Sequence, residues 1–275
     1  MRSKKAVILY AVAVFLIVFL ITINTVCAIT QFDVYYTVES AVMEERAETV
    51  QKTLESKYLH KSFLFFDENK VNEVVAQESG GYLQVMSVEK NFPNRITVRV
   101  RERMETFAFR LENSEKYYVI GDDGTILSVS NENKNNIAGK NIEIRGIPFG
   151  AQQEVGDVFT VASGSEDAYR ALVTILAELK SRGMQGNVTA IDYATVGGSD
   201  PAYRYSYFYV HTVEGVRFWI VSPEKDTQRK IVQVLDIYAS LTDAQRLDGY
   251  IFTGSGNAEY STNRPPELDE IYPET

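Results

Sequence analysis

The sequence predicts an α+β protein in four parts: one membrane-crossing helix, a small β-α-α-β-β domain, a larger mixed α/β domain and a disordered acidic tail. Three observations carry this. An uncharged run without Gly or Pro fills Ala6–Ile23, alternating strands and helical stripes follow in a definite order, and the composition changes past Thr253.

The apolar run, AVILYAVAVFLIVFLITI, is 18 residues long. A helix rises about 1.5 Å per residue, and a bilayer core of about 30 Å needs about 20 apolar residues. Thr25 to Ala28 can extend the helix to Ile29, so the span is predicted over 6–29, behind a cytoplasmic segment 1–5. Arg2, Lys4 and Lys5 precede the run, and Thr30 to Tyr36 carry no basic residue. Basic flanks stay inside, so the rest of the chain is expected outside a cell membrane, single-pass with its N-terminus cytoplasmic. A cleaved signal peptide has a shorter apolar core, although Val26-Cys27-Ala28 resembles a cleavage site. Lipidation at Cys27 fits poorly behind Val26, and Cys27 is expected as an apolar wall residue of the span.

Composition excludes several classes. The chain holds 28 basic and 37 acidic residues, a net of −9. Without Arg2, Lys4 and Lys5 the outer part has 25 against 37, a net of −12. Such a surface argues against nucleic acid and anionic lipid. One Cys rules out a disulfide framework, and His60 and His211 alone supply a metal site or triad poorly. No Gly-x-Ser-x-Gly, His-Glu-x-x-His or P-loop is present. No catalytic residue, metal or cofactor is therefore predicted. Asp122-Asp123 reads as turn chemistry, and Gly197-Gly198 and Gly254-Ser255-Gly256 as linkers. Arg99, Arg101 and Arg103 form a basic stripe that either meets an acidic partner or the bilayer surface, or is a solvated edge.

Phe32 to Glu39 alternates, with Val34, Tyr36 and Val38 on one face, as a strand does. Met43, Ala47, Val50 and Leu54 make a helical stripe. Asp67 is placed to cap a second helix through Val71, Val74 and Val75, ended by Gly80-Gly81. Tyr82 to Lys90 is a strand, Asn91 to Arg95 a turn, and Ile96, Val98 and Val100 alternate in a third strand. The first domain is thus 32–103.

The ordered set Leu64-Phe65-Phe66, Asp67, Val88 to Lys90, Phe92-Pro93, Ile96 to Arg101 and Glu102-Arg103 resembles the POTRA module of the FtsQ/DivIB cell-division family. The short N-terminus and single span before it match as well. Ser40, where such modules often carry Gly, and Met104-Glu105, where Pro is common, depart from the pattern at domain boundaries.

The second domain, 104–253, opens with a hairpin across Gly121-Asp122-Asp123-Gly124. Asn131 to Lys140 reads as a loop and Asn141 to Gly146 as a short strand. Ala168, Ala171, Leu172, Ile175, Leu176 and Leu179 stripe a helix between Ser165 and Gly183. Val188 to Tyr193, Arg204 to Thr212 and Val216 to Val221 are strands, the last two joined at Glu214-Gly215. In the second of them Tyr205, Tyr207 and Tyr209 alternate with apolar Phe208 and Val210, which suits a central strand. Ser222-Pro223 opens a second helix faced by Ile231, Leu235, Tyr238 and Leu241, and Gly249 to Thr253 closes the domain. This resembles the β-domain of the same family. Residues 254–275 carry five acids against Arg264, with three Pro, and read as a disordered tail.

The resemblance implies a non-enzymatic scaffold of the bacterial divisome. Its partners would be small single-span coiled-coil proteins of the FtsL and FtsB/DivIC type, and it would couple them to septal peptidoglycan synthesis. The family's partner strand pairs beside the closing region, so an unpaired side of 249–253 is expected to bind through Tyr250, Ile251, Phe252, Thr253, Ser255 and Tyr260, with the chain beyond about Arg264 dispensable. The competing readings are a membrane-anchored cell-wall hydrolase with an unrecognised site and a transport-associated POTRA protein. No β-barrel sequence follows to favour the latter.

Overall fold

The computed structural model describes residues 2–111, 116–133, 141–150, 153–197 and 204–264. The chain divides into two compact units, Met1–Met104 and Glu105–Thr275.

The first unit begins with helix α1, Arg2–Val26. Its described side chains, 7–22 and 25–26, are uncharged and exposed, and 7–22 alone is about 24 Å of helix at about 1.5 Å per residue. Among the described residues no helix is long and apolar enough to cross a membrane. The helix stops three residues earlier than the sequence suggests. Cys27 and Ile29 are buried with Phe63, Leu54 and Val71 instead. Their backbone is tied to the segment after α2: Phe63 donates to the Cys27 carbonyl at 2.8 Å, Ile29 to Lys61 at 2.8 Å and His60 to Ile29 at 2.8 Å. Cys27 is a core residue of this unit, not a wall of a span.

Strand β1 (Gln31–Thr37), helices α2 (Ala41–Tyr58) and α3 (Asn69–Ser79), and strands β2 (Leu83–Asn91) and β3 (Arg95–Glu102) follow in the expected β-α-α-β-β order. The sheet order is β1-β3-β2, with β1 parallel and β2 antiparallel to β3. Met43, Ala47, Val50 and Leu54 of α2 and Val71, Val74 and Val75 of α3 are buried on the sheet face that carries Val34, Val98 and Val100. The α3 cap is Glu68 rather than Asp67, although the Asp67 carboxylate still accepts from the Asn69 amide at 3.1 Å. Gly80 ends α3 at φ 63°, the left-handed region that a side chain resists.

The sequence landmarks acquire physical roles here. Lys90 donates to the Phe66 carbonyl at 2.9 Å and lies over the Phe66 ring, so the basic strand end holds the aromatic step before α3. Glu102 is buried and accepts from the Glu39 amide at 2.7 Å, the Ser40 amide at 3.1 Å and the Ser40 hydroxyl at 2.7 Å. Ser40 Oγ in turn accepts from the Met43 amide and caps α2. The end of β3 is thereby fastened to the start of α2. The arginine stripe is held locally: Arg99 pairs with Glu89 and lies over the Tyr35 ring, Arg101 donates to Gln84 and Arg103 to the Gly81 carbonyl.

The second unit contains β4 (Glu105–Arg110), β5 (Tyr117–Gly121), β6 (Ile126–Ser130), β7 (Ile142–Arg145), α4 (Glu166–Ser181), β8 (Val188–Val196), β9 (Tyr205–Thr212), β10 (Arg217–Val221), α5 (Thr227–Ser240), α6 (Asp243–Arg246), β11 (Tyr250–Thr253) and β12 (Glu259–Ser261). Its described strands form one sheet in the order β12-β11-β10-β9-β8-β7-β4-β5-β6. The predicted stripes of α4 and α5 share one core with Phe107, Ile144, Ile191, Phe208, Val210, Phe218, Ile220 and Ile251. The opposite face carries a second cluster, Val196, Tyr207, Tyr209, Trp219 and Tyr250, in which Tyr207 stacks on Trp219 at 4.3 Å. The alternation in β9 therefore feeds both faces of a central strand.

Three elements differ from expectation. β4 was not foreseen. α5 starts at Thr227, because Ser222 takes a positive φ of 45° and the Lys225 amide closes a turn on its carbonyl. The chain also does not end its regular structure at Thr253, because β12 adds a strand within the segment read as disordered. The loop reading of 131–140 falls outside the described residues from 134 on, as does the tail from 265 and Gly198 of the Gly197-Gly198 pair.

Candidate partner-binding edge

β12 is the terminal strand of the nine-stranded sheet. It pairs antiparallel with β11, Ile251 opposite Tyr260, while β11 pairs parallel with β10 on its other side. The connection is anchored by α5: Arg229 donates to the Gly256 carbonyl at 3.0 Å and Gln233 to Asn257 at 3.3 Å. Ala258 is buried in the helix-side core. Tyr260 packs against the same core and donates to the Asp248 carbonyl at 3.0 Å. Its ring occupies the space a Cβ at Gly249 would need, which, with a φ of 107°, explains glycine there.

This arrangement corrects the predicted site. β11 has ladder partners on both sides, so its presumed free edge does not exist. Ile251 and Thr253 are fully buried, and Tyr250 is buried in the aromatic cluster of the opposite face. Phe252 is 40% exposed, Ser255 is exposed and Tyr260 half-buried. The alternation of Tyr250 and Phe252 against Ile251 is as expected, but only Phe252, Ser255 and Tyr260 are reachable. The edge itself, Glu259 to Ser261, was missed apart from Tyr260. Its three residues lie between turn-forming Gly254 to Asn257 and Thr262-Asn263, too short a stretch for alternation to register.

Elsewhere, Asp122-Asp123 occupies the β5–β6 turn as predicted, with Asp123 accepting from the Thr125 amide at 3.0 Å. His211 is not isolated: its Nε2 lies 2.7 Å from Asp192, which also faces Arg145 at 3.5 Å. Burial, then Glu224, pushes the Tyr193 phenol up to about 12. Burial, then the Asp192 charge, does the same for Tyr207. Among the described residues no three His, Cys, Asp or Glu side chains converge to hold a metal.

Among the described residues the chain is a small helix-covered sheet domain followed by a larger sheet whose last strand is β12. Residues 44–103 match the family model of the POTRA domain, FtsQ-type. Over these residues the chain is similar to the POTRA domain of the FtsQ/DivIB family. Comparison with curated proteins gives no match. An FtsQ-type POTRA domain fits a cell-division scaffold, implies interactions with division proteins in general, and belongs to a family that is generally non-enzymatic.

Proposed function

We propose that this chain is a non-enzymatic, single-span scaffold of the bacterial divisome that recruits small single-span coiled-coil proteins of the FtsL and FtsB/DivIC type and couples them to septal peptidoglycan synthesis. The observation that carries the reading is the FtsQ-type POTRA domain directly behind α1. A helix apolar on all sides has no stable surface in water, and the uncharged run 6–23 rises about 27 Å, close to a bilayer core of about 30 Å. Arg2, Lys4 and Lys5 orient it with the N-terminus in the cytoplasm and the bulk of the chain outside, enriched at the septum. Anchoring in the same membrane raises the effective concentration of its partners.

A reporter fused after Thr275 is expected to be active only outside the cytoplasm; activity inside overturns the orientation. In this reading the partner adds a strand to β12, where main-chain hydrogen bonds supply affinity. A photo-crosslinking residue at Glu259 or Ser261 is expected to capture a single-span coiled-coil division protein in growing cells, and one at exposed Val173 of α4 to capture none. Capture at Val173 alone, or equal capture at all three, refutes the edge.

A further inference from the structure

Two loops of the first unit carry apolar side chains where turns ordinarily carry Gly, Pro, Asn, Asp or Ser. Leu64 and Phe65 are the central pair of a turn closed by the Phe66 amide on the Phe63 carbonyl at 3.3 Å. Phe92 stands in the turn between β2 and β3. Phe65 is 85% exposed, the most exposed large apolar side chain among the described residues. Phe92 is second to it outside α1, at 74%, and Leu64 is 51% exposed. The two turns are neighbours, because the Phe63 and Phe92 rings meet edge to face at 6.1 Å.

Both turns lie where α1 enters the domain. α1 ends at Val26, which is exposed, and Cys27 is already in the core, so no spacer separates helix from domain. The Phe63 amide donates to the Cys27 carbonyl at 2.8 Å and the Thr30 amide to the Asn94 carbonyl at 3.0 Å, which ties each turn to the first four residues after the helix. Phe65 is two residues from Phe63, at most about 7 Å of chain. With α1 as the span, the headgroup layer begins at its outer end and is about 5–7 Å deep. The charge pattern agrees. The outer part has 25 bases against 37 acids, a net of −12, yet the segments 26–32, 57–66 and 90–96 that meet here contain no acid. Repulsion from lipid phosphates is thereby removed locally.

We propose that Leu64, Phe65 and Phe92 insert into the interfacial layer of the outer leaflet and seat the first unit directly on the bilayer. The occupant of this apolar patch is lipid, because the helix that carries the patch ends one residue before the domain core and leaves it no room to withdraw. Apolar side chains bind at this depth by burying their area at the boundary of headgroups and acyl chains. Helix and turns together fix the tilt of this unit against the membrane, which a single flexible anchor leaves free. The proposal rests on α1 as a span and is independent of the partner edge.

The full chain is reconstituted in phosphatidylcholine vesicles, a zwitterionic surface on which insertion reports apolar contact and not charge. In a Cys27→Ala background, with circular dichroism to verify the fold, an NBD fluorophore is attached to a single Phe15→Cys, Lys61→Cys or Val42→Cys, and brominated acyl chains serve as the quencher. Lys61 flanks the patch, whereas exposed Val42 opens α2 at the far end of β1, about 20 Å along that strand. Quenching is expected at 15 and 61 and not at 42. Adding Phe65→Asp is expected to lower the quenching at 61 several-fold and leave that at 15 unchanged. Quenching at 15 without quenching at 61, or quenching at 61 that Phe65→Asp does not alter, overturns the proposal while the span stands, and assigns the patch to a partner protein. Equal quenching at 42 and 61 also overturns it. No quenching at 15 overturns the span itself and the proposal with it.

Discussion

Val98→Asp unfolds the POTRA domain, while Thr97→Lys leaves it folded. Val98 is fully buried between the sheet and the helices, and an unpaired carboxylate there costs several kcal/mol. A domain of this size has a total stability of only about 5–15 kcal/mol, so most of its margin goes. Thr97 belongs to the opposite face, but it is more covered than the alternation suggests and lies laterally between Asp33 of β1 and Glu89 of β2. An Asp at 97 meets two like charges and is a poor control. A Lys meets two opposite ones, each shared with Arg95 or Arg99 of the same strand, so its effect stays within about 1 kcal/mol. Thermal melts of the chain in detergent, followed by circular dichroism, separate the cases. Equal loss in both variants, or a native melt for Val98→Asp, refutes the register Val34–Val98–Val88.

Ile251→Pro collapses the second unit. The sequence alone places β11 at the sheet edge, where this change abolishes partner binding in a domain that stays folded. With β10 on one side and β12 on the other, β11 is interior. Proline removes a ladder donor and its ring intrudes on the neighbouring strand, which is why it is confined to edges. The same change also removes a fully buried Ile side chain from the core against α5. Large-to-small core changes alone cost about 2–5 kcal/mol. The near-ultraviolet signal of Trp219 is expected to vanish and the cooperative transition of this unit with it. Phe252→Ala, at an exposed position of the same strand, is expected to leave both intact. A native signal in Ile251→Pro refutes the interior placement.

The difference between what the sequence discloses and what it withholds is one of range. The stripe Met43, Ala47, Val50, Leu54 and the alternation of Ile96, Val98 and Val100 are imposed by neighbours a few residues away, and all are buried as read. The order of strands in the second unit is not local. β7 enters parallel between β4 and β8, and nothing within four residues of Ile142 encodes that. The α5 boundary failed because Ser222-Pro223 has the chemistry of a helix start and was used for a turn. Lys230 of α5 fastens that turn, donating at 2.7 Å to the Val221 and Ser222 carbonyls. Cys27 was misplaced because an apolar residue following an apolar helix looks the same whether it faces lipid or a protein core. The edge β12 was hidden by its brevity, and the partner site inherited that error.

The parallel pairing of β1 with β3 has a mechanical consequence. The chain comes into this sheet at Gln31, opposite Arg95, and leaves past Glu102, one rung beyond the Thr37–Arg101 pair. The two attachment points therefore lie at opposite ends of the same seven-rung ladder. Tension between the amino-terminal helix and the second unit loads all rungs together, in shear, instead of peeling them open one at a time. The Glu102 clasp on Glu39 and Ser40 locks the far end of that ladder. A pull applied at these two points meets the whole ladder at once.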